Sequence, residues 1–497
     1  MSKKFILAID QGTTGSRAFI YNDKGRALAS AYQEFRQYYP QPGWVEHDAD
    51  EIWLSCVKVI RAAVKKARIR PEDIAAIGIT NQRETTVIWD RRTSRPVHRA
   101  IVWQCRRTAD ICRQKKFQSR ASLIRKKTGL VLDAYFSGTK VKWLLDHVPG
   151  LRSKAQKGQI CFGTIDSWLI WKLTGGKSHV TDFTNASRTM VFNIKTKKWD
   201  KELLRLFGIP AAILPEAKVS GSVFGKTSKG VAGLGAGIPI ASVLGDQQAA
   251  LYGQGCYRPG TSKNTYGTGC FLVVNTGSKL VYSKNGLLST LACDDKGRPV
   301  YALEGAIFIT GAVVQWLRDE LKVIKNSADT ENMIRGLKDT NGIYFVPAFT
   351  GLGAPYWDST ARGTITGLTR GANVHHIVRA ALESIAYQTK DVFDLMQKET
   401  GRRIRELKVD GGACRNNFLM QLQADLLGCR IIRPAVIDST VHGAALLAGV
   451  TAGLWKGEKN LRRLNPSRKV FFPRMPAGHR KQLTQGWLKA VRQARTA

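Results

Sequence analysis

Three segments of the chain place an aspartate after an apolar run and directly before small or polar residues. These segments are residues 10–17, 245–249 and 410–413. A carboxylate in this position can hold a hydrated Mg²⁺ or accept a proton, and the turn that follows can offer backbone N–H groups to phosphate oxygens. The residue types and their spacing therefore predict phosphoryl transfer, in which positioning and charge stabilisation do most of the catalysis.

The first segment combines a carboxylate, a glycine- and threonine-rich turn and an arginine. Asp10 is the candidate Mg²⁺ ligand, through water, and Thr13, Thr14 and Gly15 are the candidate phosphate-binding residues. Arg17 can balance charge on a phosphoryl group. The structural alternative is an ordinary polar β-turn.

The other two segments predict a general base and a nucleotide-binding turn. Asp246 follows the apolar run 238–244, and such a carboxylate can take the proton of an attacking hydroxyl. The alternative is a helix N-cap, for which aspartate is favoured. Gly411 and Gly412 follow another strand, where glycine lets the backbone approach a flat ligand such as adenine. The alternative there is a structural turn.

Familiar nucleotide-binding motifs are absent from the sequence. Gly225-Lys226-Thr227 resembles the end of a P-loop, but Ser220 stands where that motif needs glycine. The glycines at 233–237 precede an apolar strand instead of following one. If ATP binds, another architecture binds it.

The elements around these segments recur in two halves of the chain. Residues 4–10, 17–21 and 27–35 have strand patterns, 22–25 forms a hairpin turn, and 50–68 is helical. A turn at 264–269, a strand at 270–275, a hairpin turn at 294–297, a strand at 299–304 and a helix at 312–321 follow the same order. A weak repeat of this kind predicts two related α/β domains, 1–253 and 254–497.

Composition indicates a globular chain with an unusual charge. The 497 residues are 43% hydrophobic and carry a formal charge of +39. Basic residues are dense at 113–127 and 456–495, which permits nucleic-acid or acidic-membrane contact. Because the excess is spread along the chain and no nucleic-acid motif accompanies it, a solvated basic surface is favoured. The nine scattered cysteines fit reduced thiols, and no apolar run is long enough for a membrane span or a signal peptide.

Taken together, the three aspartate segments resemble the phosphate-1, phosphate-2 and adenosine signatures of the actin-like ATPase superfamily. Within it the chain resembles the FGGY carbohydrate kinases, and most of all the members that act on glycerol. The motifs that carry this resemblance are 42–48, 80–86, 103–108, 135–143, 264–271, 347–357 and 410–413. It extends from about residue 4 to about residue 455.

The resemblance implies a polyol site and a nucleotide site. The implied polyol-binding residues are Arg83, Glu84, Trp103, Tyr135, Asp246, Gln247 and Phe271, with Asp246 as the catalytic base. The implied nucleotide-binding residues are Thr13, Thr14, Gly15, Arg17, Thr268, Gly311, Gln315, Gly412 and Asn416. Gly15 departs from the family pattern, in which serine is common. The loop 230–237 lacks the arginine of fructose-bisphosphate-regulated members, so that regulation is not supported, and neither is regulation by phosphotransfer proteins.

The implied fold is α/β, with two RNase H-like domains flanking a deep cleft. The implied reaction moves the γ-phosphate of ATP, with Mg²⁺, to a terminal hydroxyl of glycerol, and the products are sn-glycerol 3-phosphate and ADP. We expect a cytoplasmic homodimer or homotetramer with no nucleic-acid or membrane partner.

Two alternatives remain, one with a different substrate within the same family and one with a different kind of function. One is a family member acting on a pentulose, gluconate or a longer polyol, against which Arg83, Glu84 and Trp103 argue. The other is a catalytically silent relative that binds nucleic acid or anionic lipid, against which the retained Asp10 and Asp246 argue.

Overall fold

The computed structural model describes residues 4–358 and 360–495 of the chain. Its strands are β1 (Phe5–Gln11), β2 (Gly15–Tyr21), β3 (Ala27–Glu34), β4 (Glu46–His47), β5 (Ile74–Asn81), β6 (Val87–Asp90), β7 (Ala100–Ile101), β8 (Ile160–Gly163), β9 (Val180–Asp182), β10 (Phe192–Asn193), β11 (Lys198–Trp199), β12 (Glu216–Lys218), β13 (Gly225–Lys226), β14 (Pro239–Gly245), β15 (Ser262–Tyr266), β16 (Cys270–Gly277), β17 (Leu288–Cys293), β18 (Pro299–Ile307), β19 (Tyr344–Val346), β20 (Thr364–Thr366), β21 (Glu406–Gly411), β22 (Arg430–Pro434) and β23 (Ser467–Phe471).

The α-helices lie between and after these strands, and five of them, α2 to α6, follow one another between β7 and β8. They are α1 (Ala49–Ala67), α2 (Ala109–Arg113), α3 (Lys115–Gln118), α4 (Ala121–Thr128), α5 (Ser137–His147), α6 (Leu151–Gln156), α7 (Ile165–Leu173), α8 (Phe183–Ala186), α9 (Lys201–Phe207), α10 (Asp246–Gly253), α11 (Gly311–Asp319), α12 (Asp329–Met333), α13 (Val374–Thr400), α14 (Asn417–Leu427), α15 (Ser439–Thr451), α16 (Gly457–Leu464) and α17 (Ala477–Arg495). Within the described ranges, none of them is both long enough and apolar enough to cross a bilayer.

Contacts along the chain define two compact units. The first contains the residues up to Tyr257 together with Ser289–Tyr301 and Ser439–Asn465. The second contains Arg258–Leu288, Ala302–Asp438 and the residues from Pro466 onward. The predicted division, 1–253 and 254–497, treated each domain as one continuous segment, whereas the structure assigns two later segments to the first unit.

The first unit is built on a six-stranded sheet of order β13-β14-β5-β1-β2-β3. Strand β5 is parallel to both β1 and β14, whereas β2 is antiparallel to β1. All eight residues of β5 are buried, as expected for a central parallel strand that is covered on both faces. Because β1, β5 and β14 run in the same direction, their carboxyl ends lie at one edge of the sheet, and three of the predicted site segments begin there.

Helix α15 explains why a late segment belongs to the first unit. A side chain at Gly78 of β5 would collide with the carbonyl oxygen of Ala444, and the Ser242 hydroxyl donates to that same oxygen at 2.7 Å. Buried residues occupy ten positions of this helix, among them Gly443 and Ala444. Small residues therefore let the helix backbone pack directly on the sheet, a long-range contact that sequence order does not reveal.

The second unit contains β15, β16, β21, β22, β23 and the part of β18 from Ala302 onward, which belong to a seven-stranded sheet of order β17-β18-β16-β15-β21-β22-β23. Here β15 is antiparallel to β16 and parallel to β21, which is the arrangement that β1 shows with β2 and β5. The long helix α13 begins at a capping box formed by Asn373 and His376 and supplies much of the core of this unit. The expected α/β fold with two units is confirmed.

Local predictions from the sequence agree closely with the elements. The predicted hairpin turn at 22–25 is closed by the Gly25 N–H, which donates to the Asn22 carbonyl at 2.9 Å. The helix predicted at 50–68 is α1, which begins after Asp48, whose carboxylate accepts from Asp50 and Glu51. The strands, second hairpin and helix predicted after residue 264 are β16, β17, β18 and α11.

Candidate active site

The turn between β1 and β2 forms the first part of the site. The Gly12 N–H donates to the Gly15 carbonyl at 2.9 Å, which closes the turn around Thr13 and Thr14. Asp10 and Arg17 are register partners on β1 and β2, so their side chains share one face of the sheet. The predicted phosphate turn and its arginine therefore lie together, with the predicted metal-binding carboxylate beside them.

Asp246 is the first residue of α10, directly after β14. Its Oδ1 lies 3.0 Å from Arg83 Nε, and its carboxylate accepts from the Gln247 N–H at 2.7 Å and from Gln247 Nε2 at 3.1 Å. Gly245 is required immediately before it, because a Cβ there would stand 2.8 Å from Arg83 Cδ. The structure thus brings together the predicted base and two predicted polyol-binding residues.

The carboxylate of Glu84 is held by an arginine that sequence reasoning missed. Arg188 Nε donates to Glu84 Oε1 at 2.5 Å, and both side chains are buried. Glu84 also has a left-handed backbone, at φ 61°. Since a buried charge without a partner is costly, the guanidinium of Arg188 stabilises the Glu84 side chain at this position.

Lys140 is a second buried cation behind the same residues. Its Nζ donates to the Tyr135 carbonyl at 2.5 Å and to the Glu84 carbonyl at 3.3 Å, and Ser137 donates to the Glu84 carbonyl at 3.0 Å. Burial lowers the pKa of Lys140 to about 8. Both donors, Ser137 and Lys140, belong to helix α5. Helix α5 therefore fixes the backbone at Glu84 and at Tyr135.

Trp103 connects the predicted polyol residues to the phosphate turn. Its Nε1 donates to Thr13 Oγ1 at 2.9 Å, and its ring meets the Tyr135 ring edge-on at 5.7 Å between centroids. The guanidinium of Arg188 lies 5.6 Å from the Tyr135 centroid. An aromatic wall of this kind can cover an apolar carbon backbone while the charged groups orient its hydroxyls.

A buried amide and imidazole network supports the turn from below. Gln82 Nε2 donates to Gln11 Oε1 and to the Gly12 carbonyl, both at 3.0 Å, and Gln37 Nε2 donates to the Thr13 carbonyl at 3.1 Å. His47 lies between Gln37 and Gln82, and its Nε2 is 2.6 Å from Gln37 Oε1. Burial lowers the pKa of His47 to about 3, so the ring is neutral and donates through Nε2.

A hydrogen-bond network around the buried Asp182 connects the carboxyl ends of β5 and β14. Asp182 accepts from Asn185 Nδ2 at 2.8 Å, and Asn185 exchanges hydrogen bonds with Asn81, the last residue of β5. Thr184, whose N–H donates to Asp182, accepts the Gly245 N–H at 2.8 Å. The residues preceding Arg83 and Asp246 are therefore held by one network, and burial raises the pKa of Asp182.

In the second unit the corresponding turn is held by backbone N–H groups and by the Thr310 hydroxyl, which donates to the Gly267 and Thr268 carbonyls at 3.2 and 3.3 Å. The Gly267 N–H donates to the Gly269 carbonyl at 2.9 Å, around Thr268. The N–H groups of Thr310 and Gly311 donate to the Thr268 and Gly267 carbonyls, both at 3.0 Å. A side chain at Gly311 would collide with the Gly267 carbonyl. The predicted residues Thr268 and Gly311 thus belong to one turn, and Gln315 lies one helical turn further along α11.

The remaining predicted residues of the second unit lie near the end of β21 and on β16. Gly411, at φ 85°, packs against the Tyr266 backbone and has no room for a side chain, whereas a Cβ on Gly412 would point into open space. Asn416 caps α14 by accepting the Leu419 N–H at 2.9 Å. Phe271 is half-buried on β16, opposite Thr265.

The first unit offers a carboxylate that fits a Mg²⁺ ion whose other ligands would be phosphate oxygens and water. No cluster of three or more His, Cys, Asp or Glu side chains suited to a metal exists in residues 4–358 and 360–495. Mg²⁺ bound to a nucleotide keeps several waters and uses one or two carboxylates. Asp10, at the carboxyl edge of the sheet, fits that requirement.

Residues 5–253 match the N-terminal domain of the FGGY family of carbohydrate kinases, and residues 262–452 match its C-terminal domain. The chain belongs to this family.

Its relatives within the family include glycerol kinases. That of Caldanaerobacter subterraneus subsp. tengcongensis is 57% identical over 491 residues, which are 99% of this chain and 98% of that protein. That of Carboxydothermus hydrogenoformans is 56% identical over 495 residues, 100% of this chain and 99% of its own. Among solved structures, Plasmodium falciparum glycerol kinase with ADP has a TM-score of 0.93 at 37% identity, covering 99% of this chain and 98% of that one.

Proposed function

We propose that this protein phosphorylates glycerol with ATP and forms sn-glycerol 3-phosphate and ADP. The observation that carries the proposal is the pairing of Asp246 with Arg83 at 3.0 Å, beside Gln247. It joins a carboxylate that can accept a proton to two side chains that can orient hydroxyls. The names and full-length similarity of the glycerol kinases support glycerol as the substrate.

In the proposed reaction Asp246 accepts the proton of a terminal glycerol hydroxyl. The hydroxyl oxygen bonds to the γ-phosphorus as the bond to the β,γ-bridging oxygen breaks, and ADP leaves. Arg83, Glu84, Trp103 and Tyr135 orient the polyol and exclude water. We propose that Phe271 also covers the polyol.

The phosphate turns would stabilise the charge on the transferring group. We assign Thr13, Thr14, Gly15 and Arg17 to the phosphates, and further nucleotide contacts to Thr268, Gly311, Gln315, Gly412 and Asn416. Bound Mg²⁺ would neutralise phosphate charge, and Asp10 would hold it through water. Backbone N–H groups directed at the reacting phosphate are effective because they need no reorganisation during the reaction.

An ADP-release assay with glycerol, dihydroxyacetone, xylulose and gluconate tests this function. We expect kcat/KM to be highest for glycerol and the product to be sn-glycerol 3-phosphate by NMR. Asp246→Asn, assayed in parallel, controls for contaminating kinases. A preference for xylulose or gluconate would move the chain to another substrate class within its family.

The assembly and location of the enzyme are also proposals. We propose a homodimer or homotetramer. The molar mass from light scattering, measured as the protein elutes from a size-exclusion column, would test this assembly. We propose a cytoplasmic location because all nine cysteines, each within the described residues, are buried free thiols. Fractionation of the source cells would test that location.

A further inference from the structure

Tyr32 occupies the space that a side chain at Gly15 would fill. A Cβ built on Gly15 would stand 2.5 Å from Tyr32 Cε2 and 2.7 Å from its Cζ and its hydroxyl oxygen. Gly15 has an ordinary strand geometry and needs no left-handed backbone, since it is not among the glycines with positive φ. The absence of a side chain at this position therefore makes room for the ring of Tyr32.

The register of the strands directs this ring toward the phosphate turn. Arg17 is the partner of Asp10 across β1–β2, and Tyr32 is the partner of Arg17 across β2–β3. Directly opposed residues in antiparallel strands project from the same face. Asp10, Arg17 and Tyr32 thus form one row on the face that carries the candidate site.

The surroundings of Tyr32 are those of a binding residue. Its side chain is 50% exposed, so the ring adds little to the core. The Arg17 guanidinium lies 5.5 Å from the ring centroid, close enough for a cation–π contact. Its hydroxyl donates to Glu34 Oε1 at 3.3 Å. That distance is longer than the usual range for O–H···O bonds. The Tyr32 hydroxyl can therefore leave Glu34 and donate to a better acceptor.

We propose that Tyr32 is a further phosphate-binding residue of the first unit. Its ring packs over Gly15 and supports Arg17, and its hydroxyl donates to a phosphate oxygen of the bound nucleotide. The phenol supplies the hydroxyl that the glycine at position 15 lacks, beside those of Thr13 and Thr14. This inference rests on the proposed function, because it assumes that the turn binds the phosphates of ATP.

The test measures nucleotide affinity by calorimetry in the absence of glycerol. Wild type, Tyr32→Phe, Tyr32→Ala and the double variant Tyr32→Ala/Gly15→Ser would be titrated with MgATP and with adenosine. Tyr39→Phe is the matched control. Tyr39 is also exposed (70%), but it lies outside the row that Asp10, Arg17 and Tyr32 form. Thermal unfolding of each variant would report any loss of stability.

We expect Tyr32→Phe to weaken MgATP binding about 5–10-fold, the effect of one hydrogen bond to a charged group that water partly replaces. Adenosine has no phosphate, so its affinity should stay the same, and so should the glycerol KM. Tyr32→Ala should weaken MgATP binding further through the loss of the contact with Arg17. Gly15→Ser in that background should recover part of the affinity.

Each alternative result separates this inference from the proposed function. Wild-type affinity for MgATP in both Tyr32→Phe and Tyr32→Ala would overturn the role of Tyr32 and leave glycerol phosphorylation intact. An equal loss of affinity for adenosine would also overturn it, because the effect would not depend on phosphate. A wild-type protein that binds no MgATP would reject the proposed function together with this inference.

Discussion

The turn at 12–15 in the first unit and the turn at 267–269 in the second unit differ in the groups that stabilise them. In the first unit, side chains hold the turn at residues 12–15: Gln82, Gln37 and Trp103 donate to its carbonyl and hydroxyl oxygens. In the second unit, backbone N–H groups, closely packed glycines and one side-chain hydroxyl, that of Thr310, hold the turn at 267–269. The strand arrangement around the two turns is the same.

This difference separates two kinds of work. Buried charges and amides orient groups for a reaction, but they depend on partners from distant parts of the chain. A surface made of backbone and glycine has little chemistry of its own and lets a flat ligand approach closely. Substitutions of the buried charged residues around Asp246 should therefore affect turnover and the polyol, and substitutions at the glycine turn after β21 should affect the nucleotide.

The largest effect is expected from Asp246→Asn. Loss of a general base typically reduces turnover about 10²–10⁴-fold, so kcat should fall by that factor while glycerol still binds. Steady-state kinetics and calorimetry with glycerol would measure the two quantities. A kcat within about threefold of wild type would remove Asp246 from the role of base.

Arg188→Met tests whether the first unit depends on its buried ion pair. Arg188→Met removes one partner of this buried ion pair, and such a one-sided loss typically costs about 3–5 kcal/mol of unfolding free energy. Urea unfolding would measure that cost. The double variant Glu84→Gln/Arg188→Met should recover much of the loss, because it removes the buried carboxylate together with the guanidinium.

A matched exposed pair serves as the control for that experiment. Arg113 pairs with Asp110, and both side chains are largely exposed. Arg113→Met should have no measurable effect on unfolding, since exposed ion pairs contribute little. Equal effects of the two arginine substitutions would contradict the assigned importance of the buried pair.

Arg83→Ala should act mainly on the polyol. Losing a charged hydrogen-bond donor should raise the glycerol KM about 10–100-fold, with a much smaller change in the ATP KM. Because Arg83 Nε lies 3.0 Å from Asp246, kcat should also fall. Equal changes in both KM values would move Arg83 out of the polyol site.

Two adjacent glycines test the second unit. Gly411→Ala places a side chain at φ 85° and against the Tyr266 backbone, so it should cost at least about 1–2 kcal/mol of unfolding free energy. Gly412→Ala meets no protein atom within 4 Å and should leave stability unchanged.

If the open side of Gly412 faces the nucleotide, Gly412→Ala should raise the ATP KM and leave the glycerol KM unchanged. Unfolding curves and steady-state kinetics for the two variants would show both results. An altered glycerol KM in Gly412→Ala would contradict the assignment of Gly412 to the nucleotide.

The smallest effect near neutral pH concerns His47. Its pKa is about 3 in the folded protein because of burial, against 6.5 for the exposed ring. The unfolded chain therefore binds a proton below pH 6.5 that the folded protein does not, and stability falls as the pH drops from 6.5 toward 3. The slope from this group should approach about 1.4 kcal/mol per pH unit.

His47→Gln is the variant that isolates this contribution. Glutamine can still donate to Gln37, but it does not titrate, so the variant should lose stability less steeply between pH 6 and pH 4, a window below the ordinary histidine pKa of about 6.5. Urea unfolding across that window would measure the difference. Parallel slopes for the two proteins would mean that other groups cause the acid sensitivity.

Sequence alone determined the local features of this protein. The strand patterns at 4–10, 17–21 and 27–35, the hairpin signal at 22–25 and the helix at 50–68 depend on neighbouring residues, and the structure contains each of them. The aspartates at positions 10 and 246 could be singled out because each follows an apolar run. Such signals are readable because backbone hydrogen bonding and side-chain periodicity act over a few residues.

Only the tertiary structure decided which distant residues meet. Arg188 and Glu84 are separated by 104 positions, and neither position predicts the other. The same holds for the ring of Tyr32 over Gly15 and for α15, which returns to the first unit. The physical reason is that a buried charge or a close backbone contact depends on which strands become neighbours, and the folding of the whole sheet determines that.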